Sequence, residues 1–344
     1  MSSTNINVVF GCMTFGAAGK EQARVHDVQT CQAILDVFKK HGHRELDSAR
    51  MYGAGTSEVF LSQMGVAKQG FQVATKNFPN ARFKGMVPFE KEYDHGTEGI
   101  HRCLHDSLEA LKMDAVDLYY LHAPDRETPF EETLAAIDAE YRAGKFKRFG
   151  ISNYTADEVR EICRLCDEHA WVKPSVYQGL YNCLARTAEA PLFPVLREHG
   201  ISFYGYNPLL GGLASGKYER ESAGSEQQAS IEKGSRFDKN ARQGQMYRAR
   251  YFKEAYFDAI DLLKRAAETH GLTLPETVLR WVQHHSILKP DFGDATIIGA
   301  SSLNHIEQNL LDFEKGPLPA ELVQSIDEAW AIVEQSDAKP KYHF

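Results

Sequence analysis

Short apolar runs alternate along this chain with longer segments in which apolar residues recur at helical spacing. The runs have the length of strands and lie at residues 7–10, 45–47, 71–75, 115–121, 146–151, 174–177, 201–206 and 295–298. The first long segment shows the helical pattern clearly, because Cys31, Leu35 and Phe38 share one stripe. Asp27 precedes that stripe and can cap the helix. Strands that alternate with helices predict βα units and a parallel sheet.

We therefore predict an α/β fold, a (β/α)8 TIM barrel that forms one domain over residues 1–344. A doubly wound sheet is the alternative, but it usually carries Gly-x-Gly-x-x-Gly after a strand, and this sequence has none. Later helices are predicted at 97–111, 128–144, 155–169, 192–199, 248–270, 275–285, 303–313 and 319–334. Thr128 is expected to cap the second of these, and Thr155 with Glu158 to form a capping box at the start of the third. The stretch 218–247 is polar and too long for a passive connection, so we predict a cofactor lid there.

Composition and charge narrow the classes of partner. The chain has 344 residues and a net charge of −8, and no run of Lys or Arg forms a basic stripe, so nucleic acid is not an expected partner. No segment reaches the apolar length that spans a bilayer, and the first residues lack the pattern of a secretory leader. We therefore expect a cytoplasmic protein without a membrane partner. The six cysteines are scattered, which favours reduced, buried thiols.

Two patterns raise the question of a metal. His101 and His105 are four residues apart on a predicted helix, and Cys163 and Cys166 have redox or zinc spacing. The histidines have no obvious third ligand, and the cysteines lack a second pair. We therefore expect no metal site.

Polar residues follow the carboxyl ends of successive predicted strands. In a barrel those ends share one face, where the active sites of such barrels lie. One polar residue at a strand end would carry little information, but a series of them indicates a site. The series consists of Asp47, Lys76, His122, Ser152, Asn153, Gln178 and Asn207.

Four residues near this face suit the reduction of a carbonyl. Tyr52 lies in a glycine-rich turn, and Lys76 beside it would lower the pKa of the phenol, which is near 10 in isolation. Asp47 could hold the lysine, and His122 could orient a substrate carbonyl. The tyrosine would then give its proton to the developing alkoxide. Taken singly, each residue also has an ordinary explanation. These are a turn cap for Asp47, a loop aromatic for Tyr52, a solvated charge for Lys76 and a buried histidine for His122.

A hydride donor would need a binding surface on the same face. Ser152, Asn153 and Gln178 suit the carboxamide of a nicotinamide, and Tyr206 could stack on its ring. The glycine-rich segment 207–217 offers backbone amides and a cation to a pyrophosphate, and Arg236 is a further cation for phosphate. The segment 299–309 adds a small-residue turn and a helix start, which favour anions.

Together these motifs closely resemble the aldo-keto reductases, in particular the branch of aflatoxin-aldehyde and succinic-semialdehyde reductases. The resemblance runs nearly from end to end of the chain. Among the segments that carry it are 46–49 (LDSA), 74–76 (ATK), 120–125 (YLHAPD), 150–154 (GISNY), 176–179 (VYQG), 206–209 (YNPL), 215–218 (SGKY), 247–253 (YRARYFK) and 284–286 (HHS).

The resemblance implies a barrel, a homodimer and NADPH-dependent reduction of aldehydes by a tetrad of Asp47, Tyr52, Lys76 and His122. It implies cofactor contacts from Met13, Ser152, Asn153, Gln178, Tyr206, Asn207, Leu209, Gly211, Lys217, Arg236, Gly299, Ser301, Gln308 and Asn309. The substrate pocket would involve Arg50, Met51, Tyr247 and Lys341. Two readings from other classes stay open: a cofactor-bound regulatory subunit of the potassium-channel type, and a barrel isomerase or lyase that needs no nicotinamide.

Three positions depart from the wider pattern of the family. Gly299, Ala300 and His305 stand where many relatives bind the 2′-phosphate with Lys, Ser and Arg, so NADH is an additional candidate cofactor. Arg50 occupies a usually apolar site and could attract a carboxylated substrate. The chain ends without the terminal arginine common in this branch, which leaves Lys341 or His343 for that role.

Overall fold

Eight parallel strands close into a barrel in chain order, and the last strand pairs with the first. The structure is a computed structural model, and it describes residues 3–83, 89–218, 220 and 235–344. This architecture confirms the predicted TIM barrel. The strands are β1 Asn7–Gly11, β2 Glu45–Asp47, β3 Gln72–Asn77, β4 Val116–Leu121, β5 Phe146–Ser152, β6 Pro174–Leu180, β7 Ser202–Tyr206 and β8 Ala295–Ile298.

Helices surround the barrel. They are α1 Val28–Lys40, α2 Thr56–Met64, α3 Thr97–Leu111, α4 Phe130–Arg142, α5 Ala156–His169, α6 Phe193–Glu198, α7 Arg242–Tyr251, α8 Glu254–Thr269, α9 Leu274–His284, α10 Leu303–Phe313 and α11 Ala320–Glu334. None of these helices is long and apolar enough to cross a membrane. Each of the six cysteines is buried and free, as the sequence predicted.

Local sequence signals explain where several helices begin. The carboxylate of Asp27 accepts a hydrogen bond from the backbone N–H of Thr30 at 2.7 Å, which caps α1. Thr155 and Glu158 form the predicted capping box at the start of α5. The cap expected at Thr128 is absent, because α4 begins one residue later than predicted and Pro129 occupies the cap position. The Thr128 hydroxyl donates to Asp125.

The apolar core has two layers, as expected for parallel strands that are covered on both faces. A smaller cluster fills the inside of the barrel, and a larger one lies between the strands and the surrounding helices. The amino-terminal end of the barrel is closed by polar contacts around Arg148. Its guanidinium donates to Asp117 at 2.6 Å and to Glu45 at 3.1 Å. The opposite end, where β2 reaches Asp47, carries the polar residues that the sequence predicted for the site.

The helix predicted at 248–270 is wrong, because the chain breaks at Phe252 and Lys253 and forms α7 and α8 instead. Phe252 turns inward and packs against Phe237, with ring centroids 4.8 Å apart. This aromatic contact depends on the tertiary fold, which helical periodicity does not show. Part of the predicted lid, 219 and 221–234, lies outside the described residues.

Candidate active site

A buried lysine stands at the centre of the site. Lys76, near the end of β3, is fully buried, and its ammonium donates to Asp47 Oδ2 at 2.7 Å and to the carbonyl of Ser48 at 2.7 Å. The same nitrogen lies 3.3 Å from the hydroxyl of Tyr52. Burial lowers the pKa of Lys76, and the Asp47 carboxylate opposes that shift. The structure thus brings together the three groups that the sequence predicted to cooperate.

The turn after β2 holds Tyr52 against this lysine. Gly53, Ala54 and Gly55 all have positive φ values, of 56°, 52° and 87°. A Cβ on Gly53 would lie 2.8 Å from the Thr56 hydroxyl, so this left-handed turn requires glycine there. The turn leads directly into α2. It leaves the Tyr52 side chain almost completely buried at the carboxyl end of the barrel.

His122 completes the group as a neutral imidazole. It directly follows β4, and its ring meets the Tyr52 ring edge-on, with centroids 5.8 Å apart. Burial and the charge of Lys76 hold the pKa of His122 well below its usual range. Within the described residues its Nδ1 atom has no hydrogen-bond partner. A buried ring nitrogen normally makes a hydrogen bond, so this neutral ring is suited to bind a polar group of a ligand.

The structure corrects one electrostatic expectation. We predicted that Lys76 lowers the pKa of Tyr52, but burial, followed by the negative charge of Asp47, raises that pKa well above its usual value. The carboxylate that anchors the lysine also offsets its charge. The phenol is therefore protonated at neutral pH. That is the form a proton donor needs.

The predicted amide and hydroxyl groups form a connected chain beside the tetrad. Asn153 donates to the carbonyl of His122 at 3.0 Å and to Ser152 Oγ at 2.8 Å, and its own oxygen accepts from Tyr206 at 2.9 Å. Gln178 donates to Asp47 Oδ1 at 2.8 Å. Sequence reasoning did not foresee this bond, which ties the amide to the Asp47 carboxylate.

The loop after β7 forms a glycine-rich cradle. Asn207 has a φ of 62°, and Gly211 and Gly212 have φ values of 69° and 109°. A Cβ on Gly211 would lie 2.4 Å from the Tyr247 ring, so the loop packs closely under α7. The Tyr247 hydroxyl donates to Asn207 Oδ1 at 3.2 Å. Successive left-handed residues turn backbone N–H groups toward one side, an arrangement that binds anions.

Arg236 lies where this cradle meets the end of β8. Its Nη2 would be 3.2 Å from a Cβ on Gly299, and its guanidinium carbon lies 5.8 Å from the Tyr247 ring centroid. Its Nε is buried without a hydrogen-bond partner in the described part of the chain. A buried cation donor beside a glycine cradle fits a phosphate group. Arg236 and the cradle thus place a cation and backbone donors where the sequence predicted a pyrophosphate.

The other predicted residues differ in how directly they reach this region. Met13 accepts a weak bond from Gln243, and Leu209 and Met51 are half-buried. Ser301 lies beside the start of α10, 3.4 Å from His305, and Asn309 is buried on that helix. The Gln308 amide is already engaged with Asp312. Two predicted cations are exposed, namely Lys217 and Lys341.

Arg50 is not a free cation. It forms an ion pair with Glu58, whose side chain is fully buried and also accepts from Thr75 at 2.6 Å. The guanidinium carbon lies 5.4 Å from the Phe89 ring centroid. This partner is not apparent from the sequence, in which Glu58 is an ordinary first-turn residue of α2. Any attraction of a substrate carboxylate to Arg50 must compete with it.

Sequence reasoning missed one feature near the site. Arg250 on α7 lies 5.9 Å from the ring centroids of both Tyr247 and Tyr251. The spacing of Arg250 and Tyr247 on one helix could have indicated it. The C-terminal tail, from which the sequence predicted Lys341 or His343 to meet the substrate, does reach this region, because the Phe344 N–H donates to the carbonyl of Asn153 at 3.1 Å. The C-terminal tail therefore lies against the carboxyl end of β5.

Comparison with known proteins identifies the family. A model described as the aldo/keto reductase family matches residues 7–331. An aldo-keto reductase of Pseudocercospora fijiensis (strain CIRAD86) is 46% identical over 305 residues, which cover 89% of this chain and 99% of the relative. Aldo-keto reductase family 7 member A3 of Homo sapiens is 40% identical over 324 residues, which cover 91% of this chain and 92% of the relative.

A third relative supports the same branch. Aflatoxin B1 aldehyde reductase member 2 of Homo sapiens is 41% identical over 321 residues, which cover 91% of this chain and 85% of the relative. These similarities confirm the family and the branch that the motifs indicated. The chain therefore belongs to the aldo/keto reductase family and is an oxidoreductase.

Proposed function

We propose that this protein reduces aldehydes to alcohols with NADPH, and that Tyr52 is the proton donor. The observation that carries the proposal is the group at the carboxyl end of the barrel. There, the Tyr52 hydroxyl lies 3.3 Å from the Lys76 ammonium and its ring lies edge-on to neutral His122. Several relatives are named as aflatoxin B1 aldehyde reductases, which supports aldehydes as the substrate class.

Each member of the tetrad has a distinct task in this proposal. The protonated phenol of Tyr52 gives its proton to the carbonyl oxygen as negative charge develops there. Lys76 stabilises the phenolate that remains, and Asp47 keeps the ammonium in place through the 2.7 Å ion pair. Neutral His122 donates a hydrogen bond to the carbonyl and orients it. NADPH, when bound, supplies the hydride.

The remaining site residues would hold the cofactor. Ser152, Asn153 and Tyr206 already form one hydrogen-bonded chain next to His122, where a nicotinamide carboxamide could exchange partners with them. The cradle at 207–217 would take the pyrophosphate, together with Arg236. We favour NADPH because the family generally uses it, and retain NADH as a second cofactor because Gly299 and Ala300 carry no charge for a 2′-phosphate.

Two cations could select the aldehyde. Arg250 lies among the site phenols, whereas Arg50 is neutralised by Glu58. We propose that carboxylated aldehydes, dialdehydes or ketoaldehydes are accepted, with Arg250 the stronger attraction for a carboxylate. Arg50→Ala should therefore change kcat/KM similarly for 2-carboxybenzaldehyde and for benzaldehyde. A loss of kcat/KM for 2-carboxybenzaldehyde alone would show that Arg50, and not Arg250, attracts the substrate carboxylate.

The assay that tests the proposal is NADPH oxidation, followed as absorbance loss, with 2-carboxybenzaldehyde or succinic semialdehyde. Cofactor binding is measured separately by quenching of protein fluorescence. Turnover with tight binding supports the reductase. Tight binding without turnover would favour the second candidate, a cofactor-bound regulatory subunit of the channel type. Absence of binding of both NADPH and NADH would refute both and favour an isomerase or lyase.

We further propose that the protein is a homodimer in the cytoplasm. The dimer rests on resemblance to the family, and the location is supported by six free, buried cysteines, which suit a reducing compartment. Light scattering after gel filtration measures the mass in solution. A mass near twice the 38.7 kDa of the chain supports the dimer, and a mass near that of one chain contradicts it.

A further inference from the structure

Two imidazoles and one carboxylate meet on the outer surface, between α3 and α4. His101 and His105 lie one turn apart on α3, with ring centroids 4.1 Å apart. Glu140 reaches them from α4: its Oε1 lies 2.6 Å from His101 Nδ1, and its Oε2 lies 3.2 Å from His105 Nε2. We had expected no metal here because a third ligand was missing. The fold supplies that ligand, which lies 35 residues beyond His105 in the chain.

The surroundings of Glu140 suggest a need for positive charge. Its side chain is only 11% exposed, whereas those of His101 and His105 are 56% and 38% exposed. Among the described residues, its ion-pair partners are these two histidines and no Lys or Arg. A mostly buried carboxylate is costly without a compensating cation. A metal ion held by both rings would provide that charge.

The geometry is close to what such an ion requires. One donor atom from each of the three side chains lies within 4.8 Å of the others. Bonds of about 2.0–2.2 Å in tetrahedral geometry place donors roughly 3.3 Å apart. Small side-chain rotations therefore suffice, and two of the three ligands come from one rigid helix. The same group is the one set of three His, Cys, Asp or Glu side chains in the described residues that meets this distance criterion.

We propose that His101, His105 and Glu140 form a binding site for a divalent transition-metal ion of the zinc class. Imidazole nitrogens favour zinc, nickel and copper, whereas magnesium and calcium prefer oxygen ligands. Three protein ligands leave one position of a tetrahedral ion for water. The exposure of His101 gives solvent access to that position.

The site joins two helices of the outer layer and shares no residue with the tetrad. Its function is therefore to stabilise the packing of α3 against α4, and turnover does not need the ion. At free Zn²⁺ about 100 times the Kd, binding to the folded chain alone raises the Tm by roughly 4 °C for a chain of this size.

The test is calorimetric titration of the full chain, without a histidine tag, with ZnCl₂. We expect one ion per chain, no heat with MgCl₂, and a rise in Tm with Zn²⁺. His101→Ala and Glu140→Gln should each weaken binding at least about 10-fold, because loss of even an outer-shell partner costs about 10–100-fold. His270→Ala, an exposed histidine elsewhere, is the matched control and should bind as the wild type does.

Several results would overturn the proposal. One is that the wild type does not bind Zn²⁺. Another is that His101→Ala binds Zn²⁺ with the same affinity as the wild type and shows the same rise in Tm. A loss of binding in His270→Ala as large as that in His101→Ala would also do so. If Glu140→Gln does not fold, the exposed pair His101→Ala and His105→Ala decides the question. Turnover in the wild type with and without Zn²⁺ should agree.

Discussion

Replacing Lys76 with methionine is the sharpest test of the electrostatics at the centre of the barrel. Methionine keeps most of the side-chain volume but removes the charge. Lys76 is fully buried and the Asp47 side chain is 4% exposed, so the substitution leaves a carboxylate in a dry site. Removing one partner of a buried ion pair costs about 3–5 kcal/mol. The hydrogen bond that Gln178 donates to Asp47 remains and partly compensates the carboxylate. The expected loss in the free energy of unfolding is therefore at the lower end of this range, about 3 kcal/mol.

The loss is measured by urea unfolding at pH 7, followed by tryptophan fluorescence. Lys40→Met is the matched control, because that side chain is 75% exposed and its contact with Glu307 is long, at 3.9 Å. It should change stability by less than about 0.5 kcal/mol. The double variant Lys76→Met/Asp47→Asn should be more stable than Lys76→Met alone, since it has no uncompensated charge. A Lys76→Met loss below about 1 kcal/mol, or a double variant that is less stable still, would refute the reasoning.

Two further predictions concern pH and the cofactor cradle. Burial lowers the pKa of His43 and of His95 to about 4. Between pH 6.5 and 4 the unfolded chain therefore binds more protons than the folded chain, and the free energy of unfolding falls as the pH falls. Each histidine should lower the free energy of unfolding by about 2 kcal/mol at pH 5. The variant His43→Phe should therefore show a smaller fall in urea midpoint between pH 7 and pH 5 than the wild type. A wild-type midpoint that does not change between pH 7 and pH 5 would contradict this prediction. In Gly211→Ala the new side chain must be accommodated at a φ of 69° and would collide with the Tyr247 ring. The affinity for NADPH, measured by fluorescence quenching, should therefore fall. An unchanged affinity would show that this loop is not part of the cofactor site.

Much of the fold could be predicted because its signals are local. Apolar runs of strand length placed all eight strands, and the capping box at Thr155 fixed the start of α5. The failures have tertiary causes. At the break in the predicted long helix Phe252 packs against Phe237, and Thr128, whose hydroxyl donates to Asp125, lies one residue before the cap position of α4. Periodicity within one segment contains no information about such distant partners.

The site could be predicted to the extent that strand ends define one face. Lys76 and Asp47 were placed correctly because both lie at the carboxyl ends of strands, and the barrel brings those ends together. The pKa of Tyr52 was predicted in the wrong direction, since burial and the carboxylate outweigh the neighbouring ammonium. Glu58 and Glu140 were missed as partners because each joins its cation or histidines across different elements. Pairings of this kind depend on packing between helices and turns.

The most direct test of the central claim is NADPH oxidation with succinic semialdehyde by the wild type and by Tyr52→Phe. The substitution keeps the ring against His122 and removes only the hydroxyl beside Lys76. A proton donor of this kind contributes about 10²–10⁴-fold, so kcat should fall by that factor while NADPH affinity is retained. A Tyr52→Phe variant that turns over at the wild-type rate would contradict the assignment of Tyr52 as the proton donor.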